Sequence, residues 1–93
     1  MLMIRSFRNK PLKALFIDGT TAKVAPDLHA RCLVILDALD AATRPEDMNV
    51  PGWRFHGLQG KPKRWTVHVN GPWCITFEWE DGDAFRVDLE NYH

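Results

Sequence analysis

Cysteine is scarce in this chain. Cys32 and Cys74 are its two cysteines, and they do not partner each other at metal spacing. Cys32 falls on an expected helix face and Cys74 in an expected strand, which predicts two free thiols and a reducing cytoplasm. Long apolar runs are also missing: none approaches the roughly 20 residues that cross a bilayer, so no membrane association is expected. Arg5, Arg8 and Lys10 follow a very short apolar start, the wrong order for a secretory leader. The histidines at 29, 56, 68 and 93 show neither HxH nor HxxxH spacing, which argues against a metal centre. There is no glycine-rich phosphate loop and no nucleophile elbow, so no nucleotide or other cofactor is expected.

What is present is apolar and aromatic. A hydrophobic content of 45%, with four Trp and five Phe in 93 residues, suffices for one core and one domain spanning residues 1–93. The formal net charge is zero, but the charges run in blocks. Arg5, Arg8, Lys10, Lys13 and Lys23 open the chain against Asp18 alone. Arg54, Lys61, Lys63 and Arg64 then lie between Trp53 and Cys74 with no acid. From Ile75 onward, Glu78, Glu80, Asp81, Asp83, Asp88 and Glu90 face only Arg86. Such segregation can build a basic and an acidic face on a neutral protein.

The chain is organised around Trp73–Trp79. Trp73, Ile75, Phe77 and Trp79 alternate with Cys74, Thr76 and Glu78, the period of a strand that buries one face. Trp65, Val67 and Val69 alternate before it, and Phe85, Val87 and Leu89 after it. Gly71-Pro72 and Asp81-Gly82-Asp83 supply turn chemistry in the two gaps. The pattern predicts a three-stranded antiparallel meander. Met3–Phe7 and Trp53–Leu58 are shorter alternating runs that can add strands. In the latter, Trp53 and Phe55 share one face, Arg54 and His56 the other.

Two helices are expected. Pro11 opens the first, carrying Leu12, Leu15 and Phe16, and Asp18-Gly19 closes it. The second starts near Pro26-Asp27 and aligns Leu28, Cys32, Ile35, Leu36 and Leu39 on one face. Residues 41–52, with Pro45, Asn49, Pro51 and Gly52, read as a connecting loop. The fold class is therefore α+β: a small antiparallel sheet with two helices packed on its apolar face. The opposite face would present Arg54, His56, His68, Asn70, Cys74 and Thr76, with Lys61, Lys63 and Arg64 on the turn at its rim. Cations, aromatic rings and imidazoles in this arrangement suit single-stranded RNA.

Several stretches resemble, in order, the HigB toxins, plasmid-maintenance killer proteins of the RelE superfamily. They are Met3-Ile4-Arg5-Ser6-Phe7, Leu39-Asp40-Ala41-Ala42-Thr43, Trp53–Gly60, Trp73–Phe77, Asp81-Gly82-Asp83-Ala84 and Asn91-Tyr92-His93. The resemblance implies the RelE-like toxin fold and a metal-independent, ribosome-dependent endoribonuclease that cuts mRNA in the A site and so inhibits translation. It implies a helix-turn-helix antitoxin of the HigA type, through which alone the toxin reaches operator DNA. It also assigns roles. His56 and His93 are the acid/base pair, Tyr92 stacks on or hydrogen-bonds the nucleotide, and Asn91 makes a polar contact where many relatives carry aspartate. Arg54, Lys61, Lys63 and Arg64 are the cations for RNA phosphates.

Gln59, Asn70 and Cys74 stand where relatives often carry lysine, arginine and arginine, which thins the catalytic charge. An alternative reading follows from that thinning: a weak or inactive relative that binds antitoxin or RNA and acts in operon regulation.

Overall fold

The computed structural model describes residues 4–91. Helix α1 covers Lys10–Asp18. Asn9 caps it, its Oδ1 accepting from the Leu12 amide at 2.9 Å, and Pro11 sits in the first turn, where no intrahelical N–H is required of it. Gly19 ends the helix at φ 80°, its amide donating to the Leu15 carbonyl at 2.8 Å. A left-handed residue is needed there to satisfy an orphan carbonyl, and glycine adopts it without a Cβ penalty. A 3-10 turn at Pro26–Leu28 leads into helix α2, His29–Ala41. Leu28, Cys32, Ile35, Leu36 and Leu39 are all buried, as their spacing predicts.

Four antiparallel strands follow: β1 (His56–Leu58), β2 (Arg64–Asn70), β3 (Trp73–Glu80) and β4 (Asp83–Asn91), adjacent in chain order. The last three form the expected meander. Val67, Val69, Ile75, Phe77 and Val87 are buried with Leu12, Leu15 and the α2 stripe in one core. Phe77 stacks on Trp65, its register partner, at 6.1 Å and meets Trp79 edge-on at 6.4 Å. Full burial of each large apolar side chain contributes roughly 1.5–3 kcal/mol.

Simple alternation fails at β4. Thr76 pairs with Asp88, but Glu78 pairs with Phe85, so β4 carries one extra residue in between. Arg86, at φ 48°, marks the bulge. One inserted residue reverses the facing of everything beyond it. Phe85 therefore leaves the face of Val87 and Leu89 and shares a row with Glu78, while Ala84 is buried in the core.

The two shorter runs are less regular than their alternation predicts. Ile4 and Phe7 make isolated parallel bridges to Ala84 and Val87, supported by Arg5 N–H to Ala84 O at 2.8 Å and Val87 N–H to Ser6 O at 3.1 Å. This segment covers the β4 edge without forming a ladder; Met3 lies outside the described residues. Within Trp53–Leu58 only His56–Leu58 is strand. Arg54 turns to φ 50°, which ends the extended run and lets Trp53 bury while its carbonyl accepts from the His68 amide at 2.7 Å. In the 41–52 connection, Pro45–Met48 forms a 3-10 turn that buries Met48.

The charge blocks meet at two points. Arg5 pairs with Asp83 at 2.7 Å and Arg64 with Glu90, so the basic early and middle segments are joined to the acidic C-terminal one. Arg86 pairs with Glu78 at 2.9 Å inside the last block. The sheet brings together charges that are distant in sequence, and opposite charges attract across strands.

Candidate RNA-facing site

On the face opposite the core, strand register sets side chains in rows. One row runs His56, Thr66, Thr76, Asp88 and the next His68, Cys74, Glu90. Thr66 and Thr76 are buried at 2% and 0% exposure, so this face is layered with side chains. Thr66 Oγ1 finds no hydrogen-bond partner among the described residues.

At the β1–β2 side of this face lies an open cavity of about 390 Å³, lined by Arg54, His56, Leu58, His68 and Cys74, with Gly71 and Pro72 at its edge. Residues drawn from the chain before β1, from β1, from β2 and from β3 thus converge on one hollow. His56 Nδ1 lies 2.8 Å from the Arg54 carbonyl and His68 Nε2 lies 2.9 Å from the Gly71 carbonyl. A carbonyl oxygen only accepts, so each of these ring nitrogens carries the proton. In the neutral ring, His56 therefore keeps its lone pair on Nε2 and His68 on Nδ1. The same bond holds Arg54 at its positive φ, a conformation that costs a non-glycine residue about 1 kcal/mol or more.

Arg64 is not at the rim. Its Nη2 donates to Thr76 Oγ1 at 2.8 Å and also to Glu90 Oε2, and Thr76 Oγ1 donates to the same carboxylate. The side chain starts on β2 and crosses to Thr76 on β3, where it meets the carboxylate that Glu90 sends over from β4. Lys63 lies elsewhere: its ammonium is 5.9 Å from the Trp65 ring centre, and a Cβ on Gly57 would meet it at 2.5 Å. Gly57 and Trp65 are register partners on the core-side face, so Lys63 covers that face and not the one bearing His56. Lys61 is exposed in the β1–β2 connection. Asn91 ends β4 as the register partner of Trp73, one residue from the Cys74–Glu90 pair. Tyr92 and His93 lie outside the described residues. Asn70 is exposed beside the β2–β3 turn.

A wider cleft of about 660 Å³ between Ser6, Arg8, Pro62 and the Arg86–Glu78 pair has no histidine in its lining among the described residues. Sequence reasoning placed Arg54, His56, His68 and Cys74 on one face, and the structure gathers them around one cavity. It missed Glu90 and Thr76 as the groups that hold Arg64. Alternation of Asp88 and Glu90 with Val87 and Leu89 signals their facing, but only register reveals their partners.

A family profile described as the RelE-like toxin of the type II toxin–antitoxin system HigB matches residues 5–93. "Endoribonuclease HigB" of Proteus vulgaris is 37% identical over 92 residues, covering 98% of this chain and 100% of the relative. "Toxin HigB-1" of Vibrio cholerae serotype O1 is 32% identical over 91 residues, covering 95% of this chain and 96% of the relative. The α+β arrangement of two helices on a four-stranded antiparallel sheet agrees with these matches, and the chain belongs to the HigB-like toxins of type II toxin–antitoxin systems.

Proposed function

We propose that this toxin is a metal-independent endoribonuclease that cuts mRNA on the ribosome, in the cytoplasm, and is neutralised by a helix-turn-helix antitoxin of the HigA type that carries it to operator DNA. The observation that carries the reading is the 2.8 Å contact of His56 Nδ1 with the Arg54 carbonyl: a carbonyl only accepts, so Nδ1 carries the proton and Nε2 is left as the basic atom beside a cavity also lined by Arg54, His68 and Cys74.

RNA supplies its own nucleophile. His56 Nε2 takes the proton of a 2′-OH, and the 2′ oxygen bonds to the adjacent phosphorus. The P–O5′ bond breaks, and the departing 5′ oxygen receives a proton from His93. The products are a 2′,3′-cyclic phosphate and a 5′-OH, with protons conserved between the two imidazoles. Arg54 and Arg64 offset the charge that builds on the phosphorane. Tyr92 stacks on the displaced base and Asn91 makes a neutral polar contact. Lys61 and Lys63, outside the cavity, serve more distant phosphates.

Few fixed cations line the cavity, so the ribosome is needed to hold the message in line for attack. Mapping cut sites in translating mRNA with the purified toxin, beside the same RNA without ribosomes, tests this. Cleavage should be much faster on ribosome-bound message. Comparable rates on naked RNA would count against the A-site reading, and failure to cut either substrate would favour a regulatory, non-cutting toxin relative.

A further inference from the structure

We propose that Glu90 is a positioning residue: with Thr76 it draws the Arg64 guanidinium across β3, so that an arginine rooted on β2 is held one row from Cys74 on the RNA-facing side. The inference rests on the reading of this face as the RNA-cutting one and deepens it.

Arg64 begins in the row of Glu78, its register partner, two residues along β3 from Thr76 and four from Cys74. Left to itself, an exposed arginine side chain samples many rotamers and keeps its charge in water. Here Nη2 is tied to both Thr76 Oγ1 and Glu90 Oε2, and Thr76, fully buried, donates its own hydroxyl to that carboxylate. The side chains of Arg64 and Glu90 are only 29% and 28% exposed. Glu90 is the register partner of Cys74, and directly opposed side chains stand about 5 Å apart at Cβ. The Glu90 carboxylate accepts from Thr76, so the guanidinium is fixed over Thr76, in the row next to that of His68 and Cys74. A guanidinium has five N–H donors, and both bonds to Thr76 and Glu90 leave from Nη2, so Nε–H and the two Nη1 hydrogens remain as single donors to an anion. An arginine at 74 would bring a guanidinium to the same carboxylate from the adjacent strand.

The test is relocation of that charge, read as the single-turnover rate of cleavage of ribosome-bound mRNA, with thermal melting as the folding control. Arg64→Gln should slow cleavage by about 10²-fold, the usual effect of losing one transition-state donor. Arg64→Gln combined with Cys74→Arg should recover at least about tenfold of that loss. Glu90→Gln keeps an acceptor but not the charge, and should slow the bound-state step by about tenfold with little change in KM. Glu90→Asp should retain more of the rate than Glu90→Gln.

Three results would overturn the proposal: an Arg64→Gln protein as fast as wild type, a folded double variant no faster than Arg64→Gln, or a Glu90→Gln protein at least as fast as wild type. If Arg64→Gln does not fold, Arg64→Met replaces it in both comparisons, since it keeps the apolar stem and loses the charge. A wild-type protein that cuts no ribosome-bound message sinks both this proposal and the endonuclease reading, and that result needs no variant.

Discussion

His56→Asn separates the chemistry of the imidazole from its structural bond. The Asn side-chain amide occupies the place of Nδ1, so it can still donate to the Arg54 carbonyl, which lies 2.8 Å from Nδ1 in the native chain. Nε2, the basic atom, is removed. His56 is exposed, and exposed substitutions that keep their bonds usually change stability by less than about 0.5 kcal/mol. His56→Gln makes the opposite exchange, reaching towards Nε2 and abandoning the bond to Arg54. It should cost about 1 kcal/mol, or about 4–8 °C in Tm for a domain of this size. General-base catalysis is worth about 10²–10⁴-fold, equivalent to roughly 3–5 kcal/mol of barrier at 1.36 kcal/mol per decade. Both variants should therefore lose cleavage on that scale, while only His56→Gln melts early. Single-turnover cleavage of ribosome-bound mRNA and a thermal melt followed by circular dichroism measure the two effects. A folded His56→Asn protein that cuts within about threefold of wild type would refute the assignment of Nε2 as the base, because a 10²-fold effect is the least that role predicts.

Removing His93 should abolish toxicity on induction while leaving the melting curve nearly unchanged, since a terminal residue ordinarily adds little stability; full toxicity from the shortened, folded protein would end its assignment as the acid. Arg54→Gly and Arg54→Ala remove the same cation, but only glycine accepts φ 50° freely. The two should lose RNA affinity equally in a salt titration, with the glycine form about 1 kcal/mol more stable in urea unfolding. Cys32 is fully buried, and burial pushes its thiol from the ordinary 9.0 up to about 11. The folded state thus keeps its proton after the unfolded chain has released its own, so this contribution is intact below pH 9.0 and is lost as the pH rises towards about 11. Denaturant midpoints across that window should fall. A thiol reagent at neutral pH should label half-buried Cys74 in the native protein and Cys32 only after unfolding.

The period of two in Trp65–Val69 and Trp73–Trp79 and the helical spacing of Leu28–Leu39 determined two strands and a helix face, because each is a local pattern that any compact chain must bury. Gly19 and the Gly71-Pro72 turn were equally local, requiring only backbone chemistry. The stretches matching the HigB toxins carried the family, since order and spacing along the chain suffice for that. Tertiary structure alone decided the rest. The bulge at Arg86 reversed the facing of Phe85, and no residue type in β4 announces an inserted residue. Arg54 abandoned the strand pattern because Trp53 had to reach the core. Lys63 and Arg64 are neighbours in sequence, yet one covers Trp65 and the other crosses the opposite face to Glu90. Alternation separates such neighbours, but only register says which acid 26 residues away receives the arginine. Where a charge ends up depends on pairings between strands, and those are made when the sheet closes.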